Sequence, residues 1–484
     1  MMKTLRHKRF SSFLAFAVVL TFLFSISSFA AKPTKDTTSP TVPSNLTAVS
    51  VTNSTVSLSW NSSTDNVGVT AYYIYKNNTY LASTTTTTYT AGSLTSSTTY
   101  SFYVKAVDAR GNISGSSNVI TVTTLQPVSP PPVSSTTKII GYYAGWSAYN
   151  GFTPDKVDAS KLTHINYAFA SVGSDLKIAL GDSTIDPSNF SKLNTLKAAY
   201  PNLKTIISVG GWEGSGKFSD AALTDASRTA FADSCVTFIK SYGFDGVDID
   251  WEYPVSGGLS TNVYRPEDKQ NFTLLLQKMR EKFDAQGTLD GKHYILSIAG
   301  GAGSSYVNNT ELGILQQYLD YGNIMTYDLH GTWDTYTDFN APLYNNSDSS
   351  PQYKISVDTA VKQWLNAGFP AGKLVVGVPF YGYKYDGVTS ANNGLYQRYS
   401  SGSAVSYASI AANYLNAPGY VRYFHAQSMV PWLFNGSSFI SYDDEQSMGS
   451  KAQYIKTNGF AGAMIWELSQ DPNRVLLNSL YNGL

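Results

Sequence analysis

Apolar and polar positions follow two different rhythms along this chain. Up to about Thr124 the runs are short and alternate with period two: Val56-Ser57-Leu58-Ser59-Trp60, Ala71 to Tyr75, Tyr100 to Val107 and Val119 to Val122. Turn-forming clusters separate them at Asn61 to Gly68, Asn77-Asn78 and Ala109-Arg110-Gly111-Asn112. Short strands at that spacing predict a small β-sandwich. From Lys138 onwards strand-like and helix-like segments alternate. The strand candidates are Lys138 to Tyr143, Leu162 to Phe169, Leu203 to Val209, Phe244 to Trp251, Tyr294 to Ala299, Asn323 to Tyr327, Lys373 to Pro379 and Phe460 to Trp466. Between them, Phe231, Cys235, Phe238, Ile239 and Tyr242 fall on one helical face that Gly243 closes. Phe272, Leu275, Leu276, Met279 and Phe283 repeat the pattern after Pro266, and Val357, Ala360, Val361, Trp364 and Leu365 repeat it before Gly368. Eight β–α units predict a (β/α)8 TIM barrel with insertions. A doubly wound open sheet is the competing arrangement, but no Gly-rich nucleotide loop follows the first strand.

One strand candidate breaks the usual pattern. In Phe244-Asp245-Gly246-Val247-Asp248-Ile249-Asp250-Trp251-Glu252-Tyr253-Pro254, the acids Asp248, Asp250 and Glu252 alternate with Val247, Ile249 and Trp251. Period two puts three carboxyl groups on one face and three apolar side chains on the other. The apolar lead-in and the Pro stop suggest a buried parallel strand, where such acids are costly unless they share protons and hydrogen bonds. An acidic solvent face or a metal-ligand cluster is the plainer alternative.

The spacing favours chemistry on a glycosidic bond. Residues two apart on a strand are roughly 6.6 Å apart with side chains pointing the same way. Asp250 and Glu252 therefore approach a sugar from one side and do not clasp it as opposed acid and nucleophile. A substrate bearing its own nucleophile, such as a 2-acetamido group, completes the reaction. Close carboxyl groups also resist joint ionisation, so a proton is retained for acid catalysis.

Asp245-x-x-Asp248-x-Asp250-x-Glu252 resembles the DxxDxDxE signature of family 18 glycoside hydrolases, the chitinase family, and the resemblance extends over nearly all of 138–484. It implies a retaining, substrate-assisted hydrolysis without a cofactor. It also implies roles. Glu252 is the proton donor, Asp250 orients and stabilises the acetamido group, and Asp248 is its buried partner; Asp245 is a structural outer acid. Tyr327 hydrogen-bonds the acetamido group in a pocket shaped by Met325 and Asp328, and Trp466 floors the −1 sugar. Tyr142 and Phe169 line the pocket from the first two strands, Trp212 and Tyr381 add aromatic surface at strand ends, and Gly210 and Gly211 give the third-strand motif its backbone shape. Tyr383 stands where the family usually carries Arg, so one polar contact in the cleft is expected to differ.

About eighty residues separate Pro379 from Phe460 where a barrel unit takes about thirty. The segment at about 383–440 resembles the small α+β insertion of some family members; a long decorated loop is the alternative. In the first part of the chain, Trp60 with Leu94 ahead of Tyr100 resembles a fibronectin type III domain and its tyrosine corner. The expected organisation is a signal peptide at 1–30, a fibronectin type III-like sandwich at 31–125, a Pro/Ser/Thr linker at 126–137 and the catalytic barrel at 138–484.

Composition narrows the setting. Lys3, Arg6, Lys8 and Arg9, a mostly apolar stretch from Phe10 to Phe24, and Ser28-Phe29-Ala30 read as a cleavable secretory signal, with an uncleaved anchor as the alternative. Its removal leaves 30 basic against 34 acidic residues, which argues against a nucleic-acid partner. A secreted protein off the membrane and acting as a monomer is expected, with chitin or chitin oligosaccharides as its partner. The single cysteine, Cys235, permits no internal disulfide, and five scattered histidines show no metal-ligand spacing. His330, just past Met325-Thr326-Tyr327-Asp328, reads as a hydrogen-bonded structural residue. The leading expectation is an endo-acting chitinase. An endo-β-N-acetylglucosaminidase acting on N-glycans shares the acid signature, and a chitin-binding lectin on the same barrel typically lacks an acid at the Glu252 position.

Overall fold

The computed structural model describes residues 36–52, 54–125 and 137–484, so the signal segment and nearly all of the Pro-rich linker lie outside the described residues. The chain forms two compact units.

The first unit is a sandwich of two antiparallel sheets. One holds Ser44–Val51, Val56–Asn61 and Thr88–Ala91, and the other holds Val69–Lys76, Thr79–Thr84, Thr99–Asp108 and Ile120–Thr123. Alternate residues Val56, Leu58 and Trp60 meet Ile74, Phe102 and Val104 in the core, as period-two patterning dictates. The tyrosine corner is present: the Thr95 N–H donates to Tyr100 Oη at 2.9 Å, and Leu94 is buried beside it.

The second unit is the barrel. Lys138–Ala144, His164–Val172, Lys204–Gly210, Gly246–Asp250, Ile295–Gly301, Tyr321–Met325, Leu374–Pro379 and Gly462–Trp466 pair in parallel in that order, and the eighth pairs with the first to close the ring. Ile178–Ala179 adds a short antiparallel edge to the second strand. All eight sequence candidates are strands, with ends displaced by a few residues. The fourth stops at Asp250, so Trp251 and Glu252 lie just beyond its last ladder residue.

The expected helices form where the apolar faces place them. Asp225–Tyr242 starts at a Thr224–Ser227 capping box and ends at Gly243 with φ 79°, a conformation that costs glycine nothing. Its inner face buries Phe231, Cys235 and Ile239, with the thiol fully enclosed. Asp268–Asp290 and Val357–Asn366 bury the other two predicted stripes.

The long gap after the seventh barrel strand is an antiparallel five-stranded sheet, in the order Ser401–Ser406, Tyr381–Asp386, Ser438–Ser441, Val430–Phe434 and Val421–His425, with the short helix Tyr407–Asn413. Its Tyr381–Asp386 strand begins two residues after Pro379, so the insertion grows directly out of a barrel strand and stands at the end where the acids emerge.

Candidate active site

The fourth strand places Asp248 opposite Ser208 on one neighbour and Ser297 on the other. Asp248 is fully buried inside the barrel. Its Oδ2 accepts from Tyr142 Oη at 2.6 Å and Ser208 Oγ at 2.9 Å; its Oδ1 accepts from Ser297 Oγ at 2.7 Å and Asn323 Nδ2 at 3.4 Å. The first, third, fifth and sixth strands thus each direct one donor at a single carboxyl group. Burial raises its pKa while the Tyr142, Ser297 and Ser208 hydroxyls pull it down, and burial prevails.

Asp250 follows two residues on, also nearly inaccessible, and its Oδ1 has no hydrogen-bond partner. Burial, then the charges of Glu252 and Asp248, push it well above the usual carboxylate range. Glu252 sits past the strand end with 9% exposure. Its N–H donates to Ser215 Oγ at 2.8 Å and its carbonyl accepts from Asn262 Nδ2 at 3.0 Å, which fixes the main chain beneath the acid. Burial pushes the Glu252 carboxyl up to about 7; a Tyr253 hydrogen bond opposes this and the charge of Asp328 adds to it. The alternation seen in sequence becomes a gradient: a hydrogen-bonded acid inside, an acid with one unpartnered oxygen in the middle, and an acid raised to about 7 at the mouth.

Two cavities meet at Glu252. One, of about 710 Å³, is lined by Tyr142, Trp146, Phe169, Gly210, Trp212, Asp250, Glu252, Met325, Tyr327, Asp328 and Trp466, among others. The second, of about 400 Å³, shares Glu252, Met325, Tyr327 and Asp328 and continues past Tyr253, Ser256 and Tyr306. Trp466 packs nearly parallel to Phe169 at 5.7 Å and against Tyr142 at 5.5 Å. Among the described residues Tyr327 Oη hydrogen-bonds only Met464 Sδ, at 3.6 Å, and burial, then the charge of Asp250, raises the phenol pKa. The Ala168–Phe169, Glu252–Tyr253 and Trp466–Glu467 peptide bonds are cis.

The remaining sequence candidates are distributed around this centre. Gly210 and Gly211 have φ 110° and 75°. A Cβ on Gly210 would run into the Asp250 carbonyl oxygen, and one on Gly211 would lie 2.6 Å from the Phe169 ring. Trp212 is half exposed at the rim. Tyr381 does not line either cavity; its phenol donates to Asp328 Oδ1 at 2.5 Å, and Tyr383 donates to the same oxygen at 2.7 Å. Asp245 lies outside the site at the start of the strand, holding Lys197 Nζ at 3.0 Å and the Thr205 N–H at 2.9 Å.

Sequence reasoning missed Ser215, Ser297, Asn323 and Trp146. The first three are small polar residues whose importance lies in register and loop packing. Trp146 had a visible signal, an aromatic just beyond the first strand, and it packs against both Phe169 and Trp466. Away from the barrel, Asp36, Asp65 and Asp108 of the sandwich bring one carboxylate oxygen each within 4.8 Å of one another, with Asn112 and main-chain N–H groups already bonded to Asp108.

A family model for glycosyl hydrolases family 18 matches residues 138–471. The chain belongs to glycosyl hydrolase family 18. A fibronectin type III model matches residues 41–123. Among relatives of the family 18 unit, chitinase A1 of Niallia circulans is 45% identical over 416 residues, covering 74% of this chain and 59% of that protein. Chitinase ChiA of Flavobacterium johnsoniae is 35% identical over 71% of this chain but only 27% of its own length, so this chain spans a minor to moderate share of those larger proteins. Chitotriosidase-1 of Mus musculus is 33% identical, covering 70% of this chain and 74% of that one. Among solved structures, a family 18 N-acetylglucosaminidase from Paenibacillus barengoltzii superposes with TM-score 0.67 at 40% identity, covering 72% of this chain and all of that one. Chitinase ChiA74 from Bacillus thuringiensis gives 0.68 at 38%, covering 72% and 70%.

Proposed function

We propose that this protein is a secreted, endo-acting chitinase that hydrolyses β-1,4 linkages of N-acetylglucosamine polymers with retention at the anomeric carbon. One observation carries the reading. Glu252, with its proton held up to about pH 7, stands where two cavities meet, and its neighbouring acids Asp250 and Asp248 lie on the same side of the strand. A sugar chain spanning both cavities presents an internal linkage to that proton, which suits cleavage within a chain. Relatives named as chitinases support the substrate class.

The reaction divides among these groups. Glu252 gives its proton to the leaving oxygen while the acetamido carbonyl oxygen of the −1 sugar attacks the anomeric carbon and the glycosidic bond breaks. The positive oxazolinium ring is stabilised by Asp250, whose Oδ1 is uncommitted, and by the Tyr327 phenol. Water then attacks the same carbon, passing a proton to the Glu252 carboxylate and restoring both the acetamido group and the acid. Asp248, gripped by four donors, holds the row of acids in place. Trp466 offers an aromatic face to the −1 sugar, with Phe169, Tyr142, Trp212 and Met325 shaping the walls.

Glu252→Gln tests the reading. It should still bind chitin oligomers while turnover collapses, and wild-type product read early by NMR should keep the β-anomer. Near wild-type turnover in that variant, or an inverted product, rejects it.

A further inference from the structure

Asp328 is held in an asymmetric way. Its main chain is left-handed, with φ 54°, and its N–H donates to Asn340 Oδ1 at 2.8 Å; Asn340 in turn donates to Ser441 Oγ and to the Tyr381 carbonyl, which ties the residue to the insertion. Both phenols, Tyr381 and Tyr383, donate to Oδ1, and no hydrogen bond reaches Oδ2 among the described residues. Tyr383 is itself locked edge-on between Trp333 at 5.6 Å and Tyr381 at 5.9 Å. One oxygen is committed to the protein and the other is left to the cleft, whose two cavities Asp328 lines together with Glu252.

The charge around Asp328 is as asymmetric as its hydrogen bonds. Facing it are Glu252 and Tyr253 from just past the fourth strand, Tyr327 beside it in the chain, and Tyr381 and Tyr383 from the insertion. No Lys, Arg or His lines either cavity among the described residues. The basic residues nearest in sequence turn elsewhere: Lys384 pairs with Asp386, and the His330 ring lies against Asp334 and Asp338. Burial raises the Asp328 pKa and the two phenol donors pull it back down, favouring the anionic carboxylate without cancelling its charge, whereas a guanidinium does both. An uncancelled anion beside Glu252 disfavours loss of the Glu252 proton.

We propose that Tyr383 is a positioning residue whose hydroxyl aims Asp328 Oδ2 into the cleft, and that as a neutral group it leaves the Asp328 charge to hold up the alkaline limit of the reaction. The inference rests on the reading of Glu252 as the proton donor. Tyr383 touches no reacting atom in this account. It acts by presenting Asp328 Oδ2 to the sugar and by leaving the Asp328 charge intact.

The test is the pH profile of kcat and KM on a chitin tetramer for the full chain and its variants. Tyr383→Arg supplies a cation and Asp328→Asn removes the anion, so each should lower the alkaline limb of kcat by about one pH unit. The double variant, which loses the anion and keeps an unpaired guanidinium, should shift further than either alone, because the two charge changes add. Tyr383→Phe, nearly isosteric, keeps the anion and loses one orienting donor, so its limb should stay put while KM rises severalfold. If Tyr383→Phe moves the limb as far as Asp328→Asn, or if Asp328→Asn leaves it unmoved in an active enzyme, the inference is overturned and the role of Glu252 stands. If the wild type leaves the tetramer uncut, the functional reading falls and takes the inference with it.

Discussion

The phenol of Tyr142, on the first barrel strand, donates to Asp248 Oδ2 at 2.6 Å, on the fourth, across the interior of the barrel. A hydrogen bond to a charged group contributes about 1.5–3 kcal/mol. Tyr142→Phe removes it and leaves Ser208 as the remaining donor to that oxygen. The expected result is a fall in kcat of about 10- to 100-fold with small change in KM. Steady-state kinetics on chitin oligomers check it, and an unchanged kcat shows that the Tyr142 bond is dispensable to the acids.

The pH dependence follows from the same row of acids. A donor must carry its proton, and burial raises Glu252 to about 7, so kcat should fall as pH rises through that value. The group titrates together with Asp250, so the limb reports the pair. A kcat profile flat to pH 9 contradicts the assignment.

Ser215 offers a test of geometry apart from charge. Its Oγ accepts the Glu252 N–H and can donate to the carbonyls of Gly211 at 2.8 Å or Asp250 at 3.1 Å. Ser215→Ala leaves a buried N–H without a partner, costing about 1–3 kcal/mol of stability, and a misplaced acid can cost about 100-fold in rate. Thermal unfolding and kcat measured together check it. Loss of stability with wild-type kcat confines Ser215 to a structural role.

A fourth prediction lies away from the cleft. Lys451 and Asp443 form a completely buried ion pair at 2.7 Å. Lys451→Met strands the Asp443 charge and should destabilise the barrel by about 3–5 kcal/mol, whereas replacing both partners with apolar residues should recover most of that. Denaturant unfolding of the single and double variants checks both statements.

The sequence made the eight strands visible because each is a buried apolar run bounded by turns or helical periods, and the acids stood out as a breach of that rule. Strand ends were less legible. Trp251 and Glu252 continue the alternation in sequence, yet the ladder ends at Asp250, since pairing depends on neighbours that periodicity does not see. The insertion announced itself only by excess length. Its strand partners lie far apart in the chain, as in Tyr383 opposite Ser441, 58 residues on. Ser297, Asn323 and Ser215 were invisible for a similar reason, because their importance comes from standing beside Asp248 or Glu252. Tyr381 matched an aromatic of the cleft wall, but its hydroxyl is spent on Asp328.

Cys235 is the chain's only cysteine and lies sealed inside the Asp225–Tyr242 helix packing, where burial pushes its thiol pKa up and withholds it from reagents. The protein therefore comes ready for site-directed labelling without first being stripped of background thiols. One cysteine placed at exposed Tyr80 of the sandwich would accept a single dye there with no competing thiol.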